Sequence, residues 1–492
     1  MLFSSLPFIF GFLPATVALV YFASRFFGAR AALPVLLAAS LVFYSWNTPI
    51  YLFLIAGSIC VNYLLGRRIL ATRSRWTVGA GVAFNLALLG WFKYAGLFSS
   101  TLSDLARVDV TIDGVILPLA ISFFTFQQIA YLADCLNAKG KRYGFLEYAL
   151  FVAFFPQLIA GPIVHHAQLA PQFSGPRFAR FHADDMLLGL FLFTIGLAKK
   201  VLIADGMAPM ADGVFNAAAQ GHVIVAVEAW LGVLAYSFQI YFDFSGYSDM
   251  AIGLGLMFGI ALPVNFNSPY KARSIVDFWR RWHMTLSAFL RDYLYIPLGG
   301  NRKGGASRYR NLFIVMLLGG LWHGAAWTFL VWGGLHGAYL CINHAWDKTL
   351  ASRITLGPVA ATIITFSAVT VAWVFFRADT FSAAFAMFAA LAGQGDVAIS
   401  NAAFSPFAIL QLLGAGLIVW KAPNAMALLE KFKTILNAGA GPALAIGGGN
   451  GNAAGVALRH PVIVMAALGA LAAMAVFALL TSGPYEFIYF QF

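Results

Sequence analysis

Apolar residues run along this chain in long blocks, broken by short polar or basic patches. Leu2 to Ser24 carries no charge and is followed by Arg25 and Arg30. A helix needs about 20 apolar residues to cross a bilayer, so this block predicts a first membrane span. It lacks the basic start and small-residue cleavage site of a signal peptide, which again favours a retained helix. Ala31 to Gly66 is too long for one span and is interrupted by Asn47-Thr48-Pro49, a turn signal that divides it into two helices. Trp76 to Phe98 predicts a fourth span, with Lys93 close enough to its outer end to snorkel. Val115 to Ala133 predicts a fifth.

Tyr148 to Val164 breaks the pattern. It is apolar but short, and contains Pro156, Gly161 and Pro162. It reads as a re-entrant or broken segment, tolerated at membrane depth only where protein buries it. Met186 to Ile203 predicts an outward crossing through Lys199-Lys200, a pair able to snorkel, and Val223 to Tyr241 a return with Glu228 near its outer end. Asn311 to Val331 and Trp332 to Trp346 predict an outward and a returning helix. Leu356 to Phe376, Ala403 to Trp420 and Pro461 to Thr481 predict further spans. The pattern predicts an all-α multi-pass membrane protein of roughly 11–12 transmembrane helices, with re-entrant and interfacial pieces.

Composition agrees. Of 492 residues, 61% are hydrophobic and 10% charged, with mean hydropathy +0.80. Soluble domains carry roughly 25% charge, so this chain belongs in lipid. Its net charge of +12 does not point to nucleic acid, because no basic stretch is interleaved with stacking aromatics on a polar background. Instead the basic residues mark the cytosolic ends of helices. The loops after spans one, three and five are basic, whereas Asp104, Asp109 and Asp113 face a single Arg107 after span four. The N-terminus is therefore expected to face away from the cytosol. Cys60, Cys135 and Cys341 lie in or beside apolar runs without metal-site spacing and read as small core hydrophobes. The adjacent His165-His166 lacks the further ligands a metal would need. The Gly/Ala-rich run 438–455 reads as a flexible cytosolic loop, and Tyr485 to Phe492 as an interfacial aromatic anchor.

Tyr270 to Arg310 is the one long charge-rich stretch. Phe278, Trp282, Leu286, Phe289, Leu290 and Tyr293 recur in steps of three and four. That spacing predicts an amphipathic helix at the cytosolic interface, with Asp277 and Arg281 paired one turn apart. Arg280, Arg281 and Arg291 suit phosphates, those of lipid head groups among them.

Against this background one stretch is chemically odd: LGGLWHGAAWTFLVWGGLHGAY, 318–339, inside a run from Asn311 to Trp346 with no Asp, Glu, Lys or Arg. An ionisable side chain at membrane depth is costly and is a functional-site hypothesis by default. The predicted crossing puts His323 a little past mid-span. His336, near the outer end of the returning helix, reads as a helix-packing or interfacial histidine, and His344 near the inner end likewise. Asp243 and Asp249, in FDFSGYSDMAIG, need partners or water. PLAISFFTFQQIAYLAD adds Gln127, Gln128 and Asp134. A proton-coupled transporter using His323, Asp243 and Asp249 is the alternative of another class; it predicts an inverted repeat, and none is evident. A scaffold leaves the buried histidine unexplained.

FDFSGYSDMAIG, FWRRWHMTLSAFLRDYLYIPLGG and LGGLWHGAAW, in this order along the chain, resemble the membrane-bound O-acyltransferase family. Within it they are similar to the bacterial branch that contains the alginate O-acetylation membrane subunit. The resemblance extends from MLFSSLPFIFGFLP to PYEFIYFQF. It implies a ring of membrane helices with a thin centre, where a cytosolic acyl donor meets an acceptor from the far side. It implies that His323 is the catalytic histidine and that His283 is the second, on the donor side. Trp282, Arg281, Arg291, Trp322, Asp243, Tyr247 and Asp249 become candidates for donor or substrate contact. The expected activity is transfer of an acetyl group from acetyl-CoA or an acyl carrier protein to hydroxyls of an exported polysaccharide, alginate first, with cellulose or peptidoglycan as alternatives. No metal and no tightly bound cofactor are expected. Periplasmic acetyltransferase or polysaccharide-modification proteins, membrane lipids and an acyl carrier protein are the expected partners.

Overall fold

The computed structural model describes residues 1–107, 110, 112, 116–137, 141–302, 304–349, 354–394, 405–439, 461–483 and 485–488. Among these residues every regular element is helical. In chain order they are α1 (Pro7–Phe27), α2 (Ala32–Ser45), α3 (Tyr51–Thr72), α4 (Arg75–Ala106), α5 (Ile121–Leu136), α6 (Phe145–Ala153), α7 (Ala183–Ala219) and α8 (Ala226–Met257). There follow α9 (Ile275–Trp279), α10 (Met284–Leu290), α11 (Gly305–His323), α12 (Trp327–Thr349), α13 (Pro358–Arg377), α14 (Phe381–Leu391), α15 (Pro406–Lys421), α16 (Ala425–Gly439) and α17 (Pro461–Ser482). Six of the described helices are long and apolar enough to cross a membrane, or seven if the 66° bend between α15 and α16 lies within one span. The other apolar runs fold as shorter, bent or more polar helices, which is why counting runs gives roughly 11–12.

The turn at Asn47-Thr48-Pro49 separates α2 from α3, as its residue types predict. Tyr148 to Val164 is a short helix, a break at Phe154 and a single further turn, every residue of it buried. Protein on all sides is what permits such irregular backbone in a membrane protein. In the Gly/Ala-rich run, 438 and 439 end α16 and 440–455 lie outside the described residues, as do Asp109, Asp113 and 489–492.

The scaffold rests on two close helix crossings. Gly189 and Gly196 of α7 face Gly253 and Gly246 of α8. A Cβ on Gly196 would lie 2.5 Å from the carbonyl oxygen of Gly246, and one on Gly246 2.7 Å from that of Gly196. The second pair, seven residues on in one helix and seven back in the other, repeats the relation. Small residues bring membrane helices to backbone contact, where packing replaces the absent hydrophobic drive. The same holds between α11 and α12, where a Cβ on Gly320 would strike the Phe329 carbonyl and one on Gly333 the Met316 carbonyl.

Four sequence expectations change here. Lys199 and Lys200 do not snorkel. Lys199 Nζ lies 2.6 Å from Asp249, and Lys200 Nζ 2.8 Å from both Asp243 and Asp205. The α7–α8 crossing puts these cations and carboxylates side by side, and in a low-dielectric interior pairing is favoured over stretching to distant water. Within its described residues, 485–488, the aromatic tail is anchored to protein through Phe487. Phe487 is buried against Tyr247 at 4.7 Å, the Ile488 amide donates to Asp243 at 2.7 Å, and Lys200 donates to the Glu486 carbonyl at 3.1 Å; Tyr485 stays exposed. The 270–310 stretch is not one amphipathic helix, because α9 and α10 are separated by His283 at φ +42° and a π-turn (Arg291–Tyr295) follows. Phe278, Trp282, Leu286 and Phe289 pack into protein, a fate periodicity cannot distinguish from lipid. Finally, the predicted hairpin turns at 324–326, not at Val331-Trp332, so His323 is the last residue of its helix and His336 lies well inside the next.

Replacing Gly320 with Val should lower the unfolding free energy by about 1–3 kcal/mol, because the added carbons strike backbone. Gly414→Ala, with nothing within 4 Å of its Cβ position, should not. Thermal unfolding of the two variants in detergent checks this, and equal midpoints would contradict the close crossing.

Candidate active site

The turn of the α11–α12 hairpin is held by residues on a distant helix. An α-helix leaves its last four carbonyls without intrahelical donors. In α11 the carbonyl of Leu321 accepts from the Tyr94 hydroxyl at 2.7 Å. Those of Trp322 and His323 accept from Lys93 Nζ at 2.6 and 3.0 Å, and the same ammonium reaches Ser122 Oγ at 3.3 Å. Lys93 is therefore buried inside the protein, and the snorkelling expected from its place near the end of an apolar run does not occur. A π-helical turn in α4, Gly90–Tyr94, ends on these two adjacent residues, which both bond to α11. Such bulges often mark functional sites.

His323 sits at this helix end, 4% exposed. Its ring meets Trp322, Trp332 and Phe376 edge-on at 4.9, 5.1 and 5.3 Å. The His283 ring lies 6.3 Å away. Trp322 is fixed from two sides: its indole N–H donates to the Ser122 carbonyl, and its ring stacks on Phe126, which stacks on Phe289. A cleft opens beside these groups, lined by Lys93, residues 117–123, Ile159, Trp322 and His323. It approaches from the start of α5, which follows the loop predicted to face away from the cytosol.

His283 is fully buried, not exposed on an interfacial helix. Its Nδ1 lies 3.1 Å from Asn265 Oδ1, which also accepts from the amide and hydroxyl of Thr285. Three donors on one oxygen identify it as the carbonyl oxygen and put the His283 proton on Nδ1. Nε2 is then an acceptor, and no side chain or backbone group among the described residues bonds it. The ring is held edge-on to Phe244 at 4.7 Å.

The structure thus brings His283, His323 and Trp322 together and adds Lys93. It does not bring in the other candidates. Trp282 is a core residue packed on Phe266 and Trp373. Arg281 pairs with Asp277 at 2.7 Å, as the spacing predicts, and Arg291 with Asp292 at 2.7 Å. Asp243 and Asp249 are taken up by Lys200 and Lys199, and Tyr247 stacks on Phe3 at 4.6 Å. His336, expected near an outer membrane face, is wholly buried between Trp279, Trp332 and Phe278. His344 accepts from Arg308 at 2.7 Å. Gln128 bridges Ser58 and Tyr148, while Asp134 accepts from Tyr293 at 2.8 Å and bonds His166 at 3.0 Å. No cluster of three potential metal ligands occurs among the described residues.

The sequence does carry a signal for Lys93: LGWFKYAGLF sets a lone cation with apolar residues on both sides.

Comparison with known proteins gives the same direction. The model of the membrane-bound O-acyltransferase family matches residues 117–380. A peptidoglycan O-acetyltransferase of Helicobacter pylori is 45% identical over 435 residues, covering 82% of this chain and 81% of its own. A probable alginate O-acetylase of Pseudomonas aeruginosa is 44% identical over 413 residues, covering 82% and 76%. A teichoic acid D-alanyltransferase of Streptococcus thermophilus is 30% identical over 265 residues, covering 49% and 61%.

Removing the Asn265 amide strips Thr285 and His283 of their shared acceptor. Asn265→Ala should lower the unfolding free energy by about 1–3 kcal/mol. An unchanged melting temperature would show that Asn265 does not hold His283.

Proposed function

Because the chain belongs to the membrane-bound O-acyltransferase family and is an acyltransferase, we propose that it moves an acetyl group from a cytosolic thioester to hydroxyls of an exported polysaccharide. The acceptor is alginate first, with peptidoglycan as the second reading on the strength of the Helicobacter pylori relative. The observation that carries the proposal is the position of His323: a buried imidazole at a helix end, in the wall of a cleft, with a second histidine 6.3 Å behind it.

In this reading the acceptor hydroxyl enters by the cleft, and His323 removes its proton as the oxygen attacks the thioester carbonyl. The carbon–oxygen bond forms and the carbon–sulfur bond breaks. The proton then passes from the imidazolium to the departing thiolate, so an alcohol and a thioester become an ester and a thiol with no net proton. Base assistance of this kind is worth about 10²–10⁴-fold. His283 lies on the donor side, where its Nε2 acceptor suits an amide N–H of a pantetheine arm. The reaction is the same whether the arm belongs to coenzyme A or to an acyl carrier protein. No tightly bound cofactor takes part, and lipid head groups are neighbours, not reactants. Exported proteins complete the modification from the far side of a bacterial inner membrane, with the N-terminus on that side and the basic loops facing the cytosol.

His323→Ala should insert and fold but lower polymer acetylation by about 10²-fold or more. The check is transfer of label from acetyl thioester to polymer in membranes carrying the full chain, with alginate and peptidoglycan offered separately. Normal acetylation in the variant would remove His323 from the mechanism.

A further inference from the structure

Lys93 is the observation least explained by hydropathy and nearest to the proposed chemistry. An ammonium has three donors, and all three are spent on protein: the carbonyls of Trp322 and His323 and the hydroxyl of Ser122. Lys93 is thus not a hook for an acidic substrate. Its neighbour Tyr94 takes the carbonyl of Leu321. Two consecutive residues of α4 thereby satisfy three of the four carbonyls that α11 leaves open. The C-terminal end of a helix also carries partial negative charge, and a cation there is favourable. In water such a cap would be replaceable by solvent. Here it is buried, and the side chain on the capped residue is His323 itself.

We propose that Lys93, assisted by Tyr94, is the positioning residue of this acyltransferase. By capping the end of α11 it fixes the backbone of His323 against the cleft, and its charge sets the electrostatic setting in which the imidazole exchanges its proton. The inference rests on the catalytic reading of His323 but does not follow from it, since a catalytic histidine could end its helix on any donor. The residue's role is to hold another group in place, because its three donors are all spent on protein. A misplacement of about 1 Å at a reacting group can cost about 10²-fold in rate, so loss of the cap should appear in kcat and not in substrate affinity.

The test uses membranes carrying the full chain, labelled acetyl-CoA and acetyl-loaded carrier protein as alternative donors, and alginate or peptidoglycan as acceptor. Lys93→Met keeps the length of the side chain and removes its charge and donors. It should lower kcat about 10²-fold with KM for the donor unchanged, and should displace the midpoint of the kcat–pH profile. Tyr94→Phe removes one hydroxyl and no charge. It should lower kcat about 10-fold and leave that midpoint in place. The other titratable side chains that act on His323 are His283 and His336, both unaltered in these variants. Wild-type kcat in Lys93→Met, a loss confined to KM, or a loss of kcat with an unmoved midpoint would each overturn the proposal. If Lys93→Met fails to reach the membrane, Tyr94→Phe decides: wild-type kcat there overturns it. His323→Ala, run beside them, separates the two claims. If it stays active, the catalytic reading fails; if it is inactive while Lys93→Met is normal, only the positioning role fails.

Discussion

A helix that stops inside a protein in lipid must find donors for its last carbonyls, because no water is there to supply them. That constraint organises this molecule. The α11 helix ends at His323, and its carbonyls are met by Lys93 and Tyr94 from a helix more than two hundred residues earlier. Meeting them requires a π-turn in α4, a hydroxyl from Ser122 at the start of α5 and a hairpin tight enough to bring Gly320 against Gly333. Lys93, Ser122 and the end of α11 also line the cleft beside His323. The cap and the candidate site are one construction.

A second set of buried charges does different work. Lys199 and Lys200 pair with Asp249, Asp243 and Asp205 where glycines let α7 and α8 touch, and the tail 486–488 closes over them. Buried pairs of this sort add little net stability, but losing one partner strands the other, so they specify which helices meet. They also connect to the site. Phe244 and Ser248 of α8 contact His283 and its acceptor Asn265. The scaffold charges and the two histidines therefore share one wall, although the carboxylates themselves are occupied.

Hydropathy made much of the fold legible. The first span, the break at Asn47, the buried irregular segment around Pro156 and the late spans lie where the apolar runs and turn residues put them. What was not legible depends on which helices touch. A lysine that snorkels and a lysine that caps a distant helix look alike in sequence, and the partner carbonyls of Lys93 carry no residue identity at all. The 3.6-residue period around Trp282 and Phe289 records one buried face but not whether lipid or protein covers it. The hairpin turn at Gly324–Ala326 contains no proline or charge, so residue type does not separate it from the apolar run around it. Within the site, His323 is legible as an ionisable side chain in a charge-free run and His283 through motif resemblance, whereas the cap is not legible because its chemistry belongs to the backbone.

The proposed acyl transfer takes place between His283 and the cleft, at the imidazole of His323. The most direct measurement is an experimental structure of the full chain with a non-hydrolysable acetyl thioester analogue bound. The analogue's carbonyl carbon should lie beside the His323 ring, with its pantetheine arm reaching the His283 side. A carbonyl seated elsewhere, with both histidines still packed as they are here, would contradict it.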